Sequence, residues 1–229
     1  MKRKTIHTVF VLTVIALMAR SSLLWAGPPE EGEQKPSPLN IPKTGSLLVA
    51  TSNINSPPFS RSVVLLVNYG PDGAMGVIVN KPTPIPLHSV MPGAKALQGS
   101  DELLFYGGPV SRNIFTVLME SDKEMKEGDG VAKVFGNVFF VADRTIILRS
   151  LEERNNTVRG FSGYCGWAPG QLESELARGD WLVKPSDSEA VFSKRPGALW
   201  RRFHHRVYDG VWAFGPGSSG HGAAQTGYF

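Results

Sequence analysis

The sequence predicts a single-domain α+β fold, and three observations carry that prediction. Short strand patterns and short helical patterns mingle along the chain without a regular strand–helix–strand rhythm, which disfavours a doubly wound parallel sheet. Two strand patterns hold continuous apolar runs, Val63 to Val67 and Val77 to Val79, and so read as strands covered on both faces by helices or a second sheet layer. A chain of 229 residues suits one sizeable core better than two, and no internal repeat divides it.

The termini stand outside that core. "MKRK" is a basic start, Val9 to Ala19 is an apolar run, and "LLWAG" offers a cleavage point after Ala26, so residues 1–26 are expected to be a secretory signal peptide. An uncleaved membrane anchor is the alternative. Arg20 interrupts the apolar stretch, which leaves it short of the roughly 20 residues of a spanning helix. Residues 27–42, "GPPEEGEQKPSPLNIP", are rich in proline and glutamate and poor in large apolar side chains, the composition of a disordered linker. The folded domain is expected over 43–209, followed by a flexible glycine-rich tail, 210–229. The leader also owns the charge: of 24 basic and 20 acidic residues, Lys2, Arg3, Lys4 and Arg20 lie in it and no acid does. The mature chain is formally neutral, so nucleic acid is not an expected partner, and no stable membrane anchoring is expected after cleavage.

Within the domain, "GSLLVATS" is the first strand. "SVVLLVNYGPDGAMGVIVNK" is two strands joined through Gly70-Pro71-Asp72-Gly73, where proline pre-sets the turn and glycine closes it. "PLHSVMPG" is one helical turn stopped by Pro92. "ELLFYGGPV" and "IFTVLMES" are expected to pair about a bend at Gly107-Gly108-Pro109, and "NVFFVAD" is a further strand. Asp143 caps a helix through "RTIILRSLEER", with Ile147 and Leu151 one turn apart and Asn155-Asn156 at its end. A strand from Thr157 to Tyr164 follows.

The next helix has Pro169 in its first turn, Leu172 and Leu176 on one face and Gly179 as its left-handed stop. It is about three turns at most, so packing must hold it, with Trp167 and Trp181 as flanking apolar brackets. "WLVKP" is one more strand, and Ser186 with Glu189 forms a capping box for a short helix ending near Phe192. Leu199, Phe203 and Val207 then recur at helical spacing, with Trp200 beside them and Arg201, Arg202 and His205 facing elsewhere.

Candidate chemistry is sparse. "GFSGY" fails as a nucleophile elbow because Tyr164 occupies the second glycine position, so Ser162 reads as a strand or turn serine. Cys165, the only cysteine, is expected to be buried. It is a candidate nucleophile only if a histidine lowers its pKa, and His88, His204, His205 and His221 have no spacing that compels such a pairing. Adjacent His204 and His205 point apart on a helix, and no CxxC, HExxH, calcium-loop, Walker or GxGxxG pattern occurs, so neither a metal nor a cofactor is expected. "KRPGALWRRFHHR" is locally basic and reads as the solvated face of an amphipathic helix. Glu173 and Glu175 do not face each other on a helix. Gln171 and Glu175, one turn apart, share a face and are candidates to bind a backbone or ligand group.

The order "GSLLVAT", "FSRSVVLLVNY", "GAMGVIVNKP", "ELLFYGGPV", "FSGYCGWAPGQLESELARGDWL" and "LW" resembles the YqgE/AlgH family of bacterial proteins over most of residues 43–200. The resemblance implies a bifurcated mixed sheet folded into a pseudo-barrel with packed helices. It implies no established activity and carries over no catalytic residue, and the regulator label attached to the family is an association. Cys165 stands where the family usually has a small residue, and the leader, acidic arm and glycine-rich tail depart from its pattern. The expected function is therefore a non-catalytic binding or scaffolding protein of the cell envelope, secreted or periplasmic, with an unidentified protein or small-molecule partner. The candidate binding surface is Gly107, Gly108, Pro109, Gly166, Trp167, Gln171, Glu175 and Trp181. The alternatives are a transcriptional regulator and a Cys165- or Ser162-dependent hydrolase.

Overall fold

The computed structural model describes residues 41–128, 130–152 and 156–204. The expected leader, nearly all of the proline-rich arm, the glycine-rich tail and Val207 lie outside the described residues.

Ten strands form one sheet: β1 (Leu47–Ala50), β2 (Val63–Gly70), β3 (Gly73–Ile78), β4 (Pro82–Pro86), β5 (Leu103–Tyr106), β6 (Val110–Glu120), β7 (Val131–Phe135), β8 (Val138–Val141), β9 (Thr157–Trp167) and β10 (Trp181–Lys184). The helices are α1 (Leu87–Val90), α2 (Arg144–Leu151), α3 (Gln171–Ala177) and α4 (Ser188–Val191), with residues 199–204 helical at the end of the described chain. The main path runs β10-β1-β2-β3-β9-β6-β8-β7, and the β4–β5 pair branches off β9. All pairings are antiparallel except β5 with β9.

The branch arises because β9 changes partner along its length. Gly76 pairs with Cys165 and Ala74 with Trp167 at its C-terminal end, whereas Phe105 and Tyr106 pair with Phe161 and Ser162 further back. The far end of the sheet curls round, so that the Val134 carbonyl of β7 lies against Gly45, just before β1. The rolled sheet encloses an inner cluster containing Leu47, Leu65, Val77, Phe105, Leu118, Phe140 and Phe161. Two outer clusters lie on its other face. One, with Leu87, Met119, Phe139 and Ile147, sits under α1 and α2; the other, with Leu48, Leu66, Cys165, Trp167, Leu172 and Trp181, sits under α3. Val63 to Val67 are all buried because β2 feeds the inner cluster with alternate residues and the α3 cluster with the rest.

Several sequence expectations change. β5 and β6 do not pair with each other, because β9 lies between them, parallel to β5 and antiparallel to β6. Sequential strands usually neighbour one another. Here the Gly107-Gly108 link instead carries the chain across β9. Two strands escape the sequence reading. β4 holds three prolines, tolerated where a strand pairs on one side only. β7 has its alternation broken by a register shift between Lys133 and Phe135. The cap of α4 is Asp187, whose Oδ1 accepts from the Ala190 amide at 2.7 Å, while the Ser186 hydroxyl turns away to donate to the Gly45 carbonyl. Pro169 lies in the turn before α3, ahead of its first helical residue. Asp143 does cap α2, accepting from the Ile146 amide at 2.9 Å.

Candidate functional site

The bend and the tryptophan segment meet in space. Between β5 and β6 the chain passes so close over β9 that a Cβ on Gly107 would lie 2.2 Å from the Gly163 carbonyl oxygen, and one on Gly108 would lie 2.2 Å from the Tyr164 carbonyl carbon. Only glycine allows that approach. The crossing is stitched by the Gly107 amide donating to the Ser162 carbonyl and the Ile78 amide donating to the Gly107 carbonyl, each at 2.9 Å. Beyond it Ser111 holds a left-handed φ of 47°, and the exposed Arg112 guanidinium lies 5.7 Å from the centre of the Tyr106 ring. Non-glycine residues in that region persist where the surroundings over-determine them.

Along β9 from the crossing, Trp167 and Trp181 sit edge to face with ring centres 6.1 Å apart, and each is 4 % exposed. Both indole N–H groups donate to the same Glu175 oxygen, Oε2, each at 2.8 Å. Gln171 Nε2 donates to Glu175 Oε1 at 3.0 Å, and Gln171 Oε1 accepts from the Ala168 amide at 3.1 Å. Glu175 and Gln171 thus bind indoles, backbone and each other. The Tyr69 hydroxyl ties α3 to β2 by donating to Glu173 at 2.7 Å. Burial, with the nearby Glu173 carboxylate, pushes that phenol up to about 12.

Of the expected binding surface, Gly107, Gly108, Trp167 and Trp181 are buried, Gly166 and Glu175 are half-buried, and Pro109 and Gln171 are exposed. What solvent meets is the 109–113 segment on one side and the Gln171 end of α3 on the other. Cys165 is wholly buried and its thiol donates to the Gly107 carbonyl at 3.3 Å. Burial raises its pKa, opposed by the Lys81 ammonium. The Ser162 hydroxyl donates to the Arg112 carbonyl at 2.5 Å. His204 stacks on Trp200, ring centres 4.4 Å apart, and His88 is exposed on α1.

Sequence reasoning missed three polar residues. Asn80, buried after β3, accepts from the Val63 amide at 2.8 Å and donates to the Arg61 carbonyl at 2.9 Å. Lys81 donates to the Pro58 and Ser60 carbonyls, and burial lowers its pKa. Arg159, 4 % exposed, donates to the Val191 carbonyl at 2.5 Å and the Ser193 carbonyl at 2.8 Å, with its guanidinium 4.3 Å from the centre of the Phe105 ring. A charged residue inside an apolar strand, "TVRGF", is the one signal that pointed to Arg159.

The AlgH-like family model matches residues 47–209. The UPF0301 protein of Streptomyces avermitilis is 37% identical over 166 residues, covering 71% of this chain and 86% of its own. That of Mycobacteroides abscessus is 31% identical over 185 residues, covering 78% and 88%. The solution structure of the AlgH protein from Pseudomonas aeruginosa matches with a TM-score of 0.60 at 23% identity, covering 83% of this chain and 100% of that one. A crystal structure from Corynebacterium diphtheriae matches with a TM-score of 0.64 at 24% identity, covering 73% and 88%. At these identities the two structures speak to the fold. The sequence relatives and the matched span speak to descent: the chain belongs to the AlgH-like family.

Proposed function

We propose that this protein is a non-catalytic binding protein of the cell envelope, meeting its partner at the crossing of the 107–113 segment over β9. One observation carries the non-catalytic half. The two candidate nucleophiles, Cys165 and Ser162, each donate to a backbone carbonyl that stitches the crossing, and burial holds the thiol in its protonated form. Their hydrogen bonds hold architecture together rather than activating a nucleophile. Support for binding comes from the exposed rim of the crossing, where Pro109, Arg112 and Asn113 face solvent beside the left-handed Ser111. The basic start, apolar run and cleavage point of residues 1–26 support export.

Intact-mass measurement of the envelope fraction tests the location. A mature chain beginning at Gly27 is expected, and a species beginning at Met1 in that fraction favours anchoring. An unprocessed chain in the cytosol, with salt-sensitive DNA binding lost in Arg201→Ala and Arg202→Ala, replaces the proposal with a regulator. Rapid stoichiometric labelling of Cys165 by a thiol reagent, or of Ser162 by a serine-directed probe, in the folded protein replaces it with a hydrolase.

A further inference from the structure

At the N-terminal end of β9, away from the crossing, two hollows open on either side of Thr157. One, of about 280 Å³, is lined by Ala96, Leu97, Leu151 and Val158 together with Ser100 and Glu102. The other, of about 430 Å³, is lined by Ser188, Phe192, Ser193, Lys194 and Arg195, with Glu120 and Glu189 on its rim. A bridge from Lys194 Nζ to Glu102 Oε1, 3.0 Å long, joins a wall residue of one hollow to a wall residue of the other. Its lysine is 86 % exposed, so the bridge is weakly held and readily opened.

Beneath this bridge lies Arg159. Its guanidinium donates to the carbonyl of Ser193, a wall residue of the larger hollow, and to that of Val191, yet its Nε is buried without a hydrogen-bond partner. Burial draws its pKa down to about 10, with Glu102 acting in the opposite sense, so it remains charged at neutral pH. None of the ion pairs among the described residues includes it. Buried charges are ordinarily met by an opposite charge. Here the nearest counter-charge, Glu102, is already engaged by Lys194, and Glu189 by Arg202. With Arg195 and Glu120 counted, four cations face three carboxylates at this end of the barrel.

We propose that the two hollows form one binding site for an amphipathic monocarboxylate. Its head takes Lys194 from Glu102 beside Arg195 and above Arg159, and its apolar body lies along Leu97, Leu151 and Val158. A single negative charge matches the excess, and the hollows together have the scale of a small-molecule site. The serine hydroxyls of Ser188 and Ser193 offer neutral donors to the second carboxylate oxygen. The site is separate from the crossing, and it stands or falls without regard to where the protein works.

Two sources supply this chemistry, a free organic acid and the C-terminal carboxylate of a peptide. Calorimetric titration of residues 27–229 with octanoate, with 1-octanol, and with N-acetyl-Ala-Ala-Leu bearing either a free or an amidated carboxyl separates them. Octanoate or the free peptide acid is expected to bind on the order of tenfold more tightly than its uncharged counterpart, as a charge-assisted contact requires. Lys194→Gln should weaken that binding about tenfold. Glu102→Gln should tighten it, because the competing carboxylate is gone; a residue of purely structural value would not give that sign. Both positions lie at the surface, and thermal melts confirm that the variants fold. Equal binding of charged and uncharged probes, failure of both acids to bind, or unchanged affinity in Glu102→Gln overturns the proposal.

Discussion

Two regions of this molecule bury a charged side chain, and they treat it differently. At the α3 end the Glu175 carboxylate collects two indole N–H groups and the Gln171 amide, so donors and acceptor are matched. At the α4 end the Arg159 guanidinium is held by two carbonyls and an aromatic face, with Nε unmatched and no paired carboxylate. Thr116 Oγ1, a second buried polar atom without a partner, lies on the strand beside it, where Leu118 pairs with Arg159 and Thr116 with Phe161. A saturated polar cluster rigidifies and locates elements. An unsaturated one is an energetic liability to the fold alone, which is why the second region, and not the conspicuous tryptophan segment, carries the ligand proposal.

The largest effect expected from this contrast is at the clamp. Trp181→Ala removes a buried ring that packs on Trp167 and Phe59, and should destabilise by about 3 to 5 kcal/mol in chemical denaturation. A variant that keeps its midpoint would place the ring at the surface and dissolve the contrast.

Next in size is a matched pair of substitutions. Glu175→Ala strands two indole donors and should cost about 2 kcal/mol. Arg159→Met, which replaces a buried and unmatched ion by an apolar chain over the Phe105 ring, should stay within about 1 kcal/mol of the parent. If Arg159→Met proves the more damaging of the two, the guanidinium is structural and the two regions are alike.

The smallest effect is confined to alkaline pH. The Tyr69 phenol titrates near 12 when folded and at 10.0 when free, so its contribution is complete below pH 10 and is lost as pH rises through 12. Tyr69→Phe, compared in a background where Cys165 is unchanged, should flatten the fall in melting temperature between those values. An identical alkaline limb in both proteins would mean that the bond to Glu173 does not bias the phenol.

Local features were legible in the sequence because their causes are local. The apolar runs of β2 and β3, the Asp143 cap and the left-handed Gly179 beyond α3 depend on residues a few positions apart. The shift of the α4 cap from Ser186 to Asp187 marks the limit: both side chains suit a cap, and the distant Gly45 carbonyl drew the serine away. The candidate site was legible in part. The glycines of the bend and of "FSGYCGW" were visible as places of close backbone approach, but not that they approach each other.

The sequence alone therefore determined the class of fold, most of its strands and helices, the family resemblance, and that no complete catalytic set accompanies them. Only the tertiary structure decided that β9 enters between β5 and β6, that one carboxylate serves both tryptophans, and that Arg159 is buried under an ion pair joining residues 102 and 194. The physical reason is that propensity, capping and turn chemistry act over a few residues. A strand's neighbour, and the partner of a buried charge, are chosen by which distant segments the closing sheet brings together.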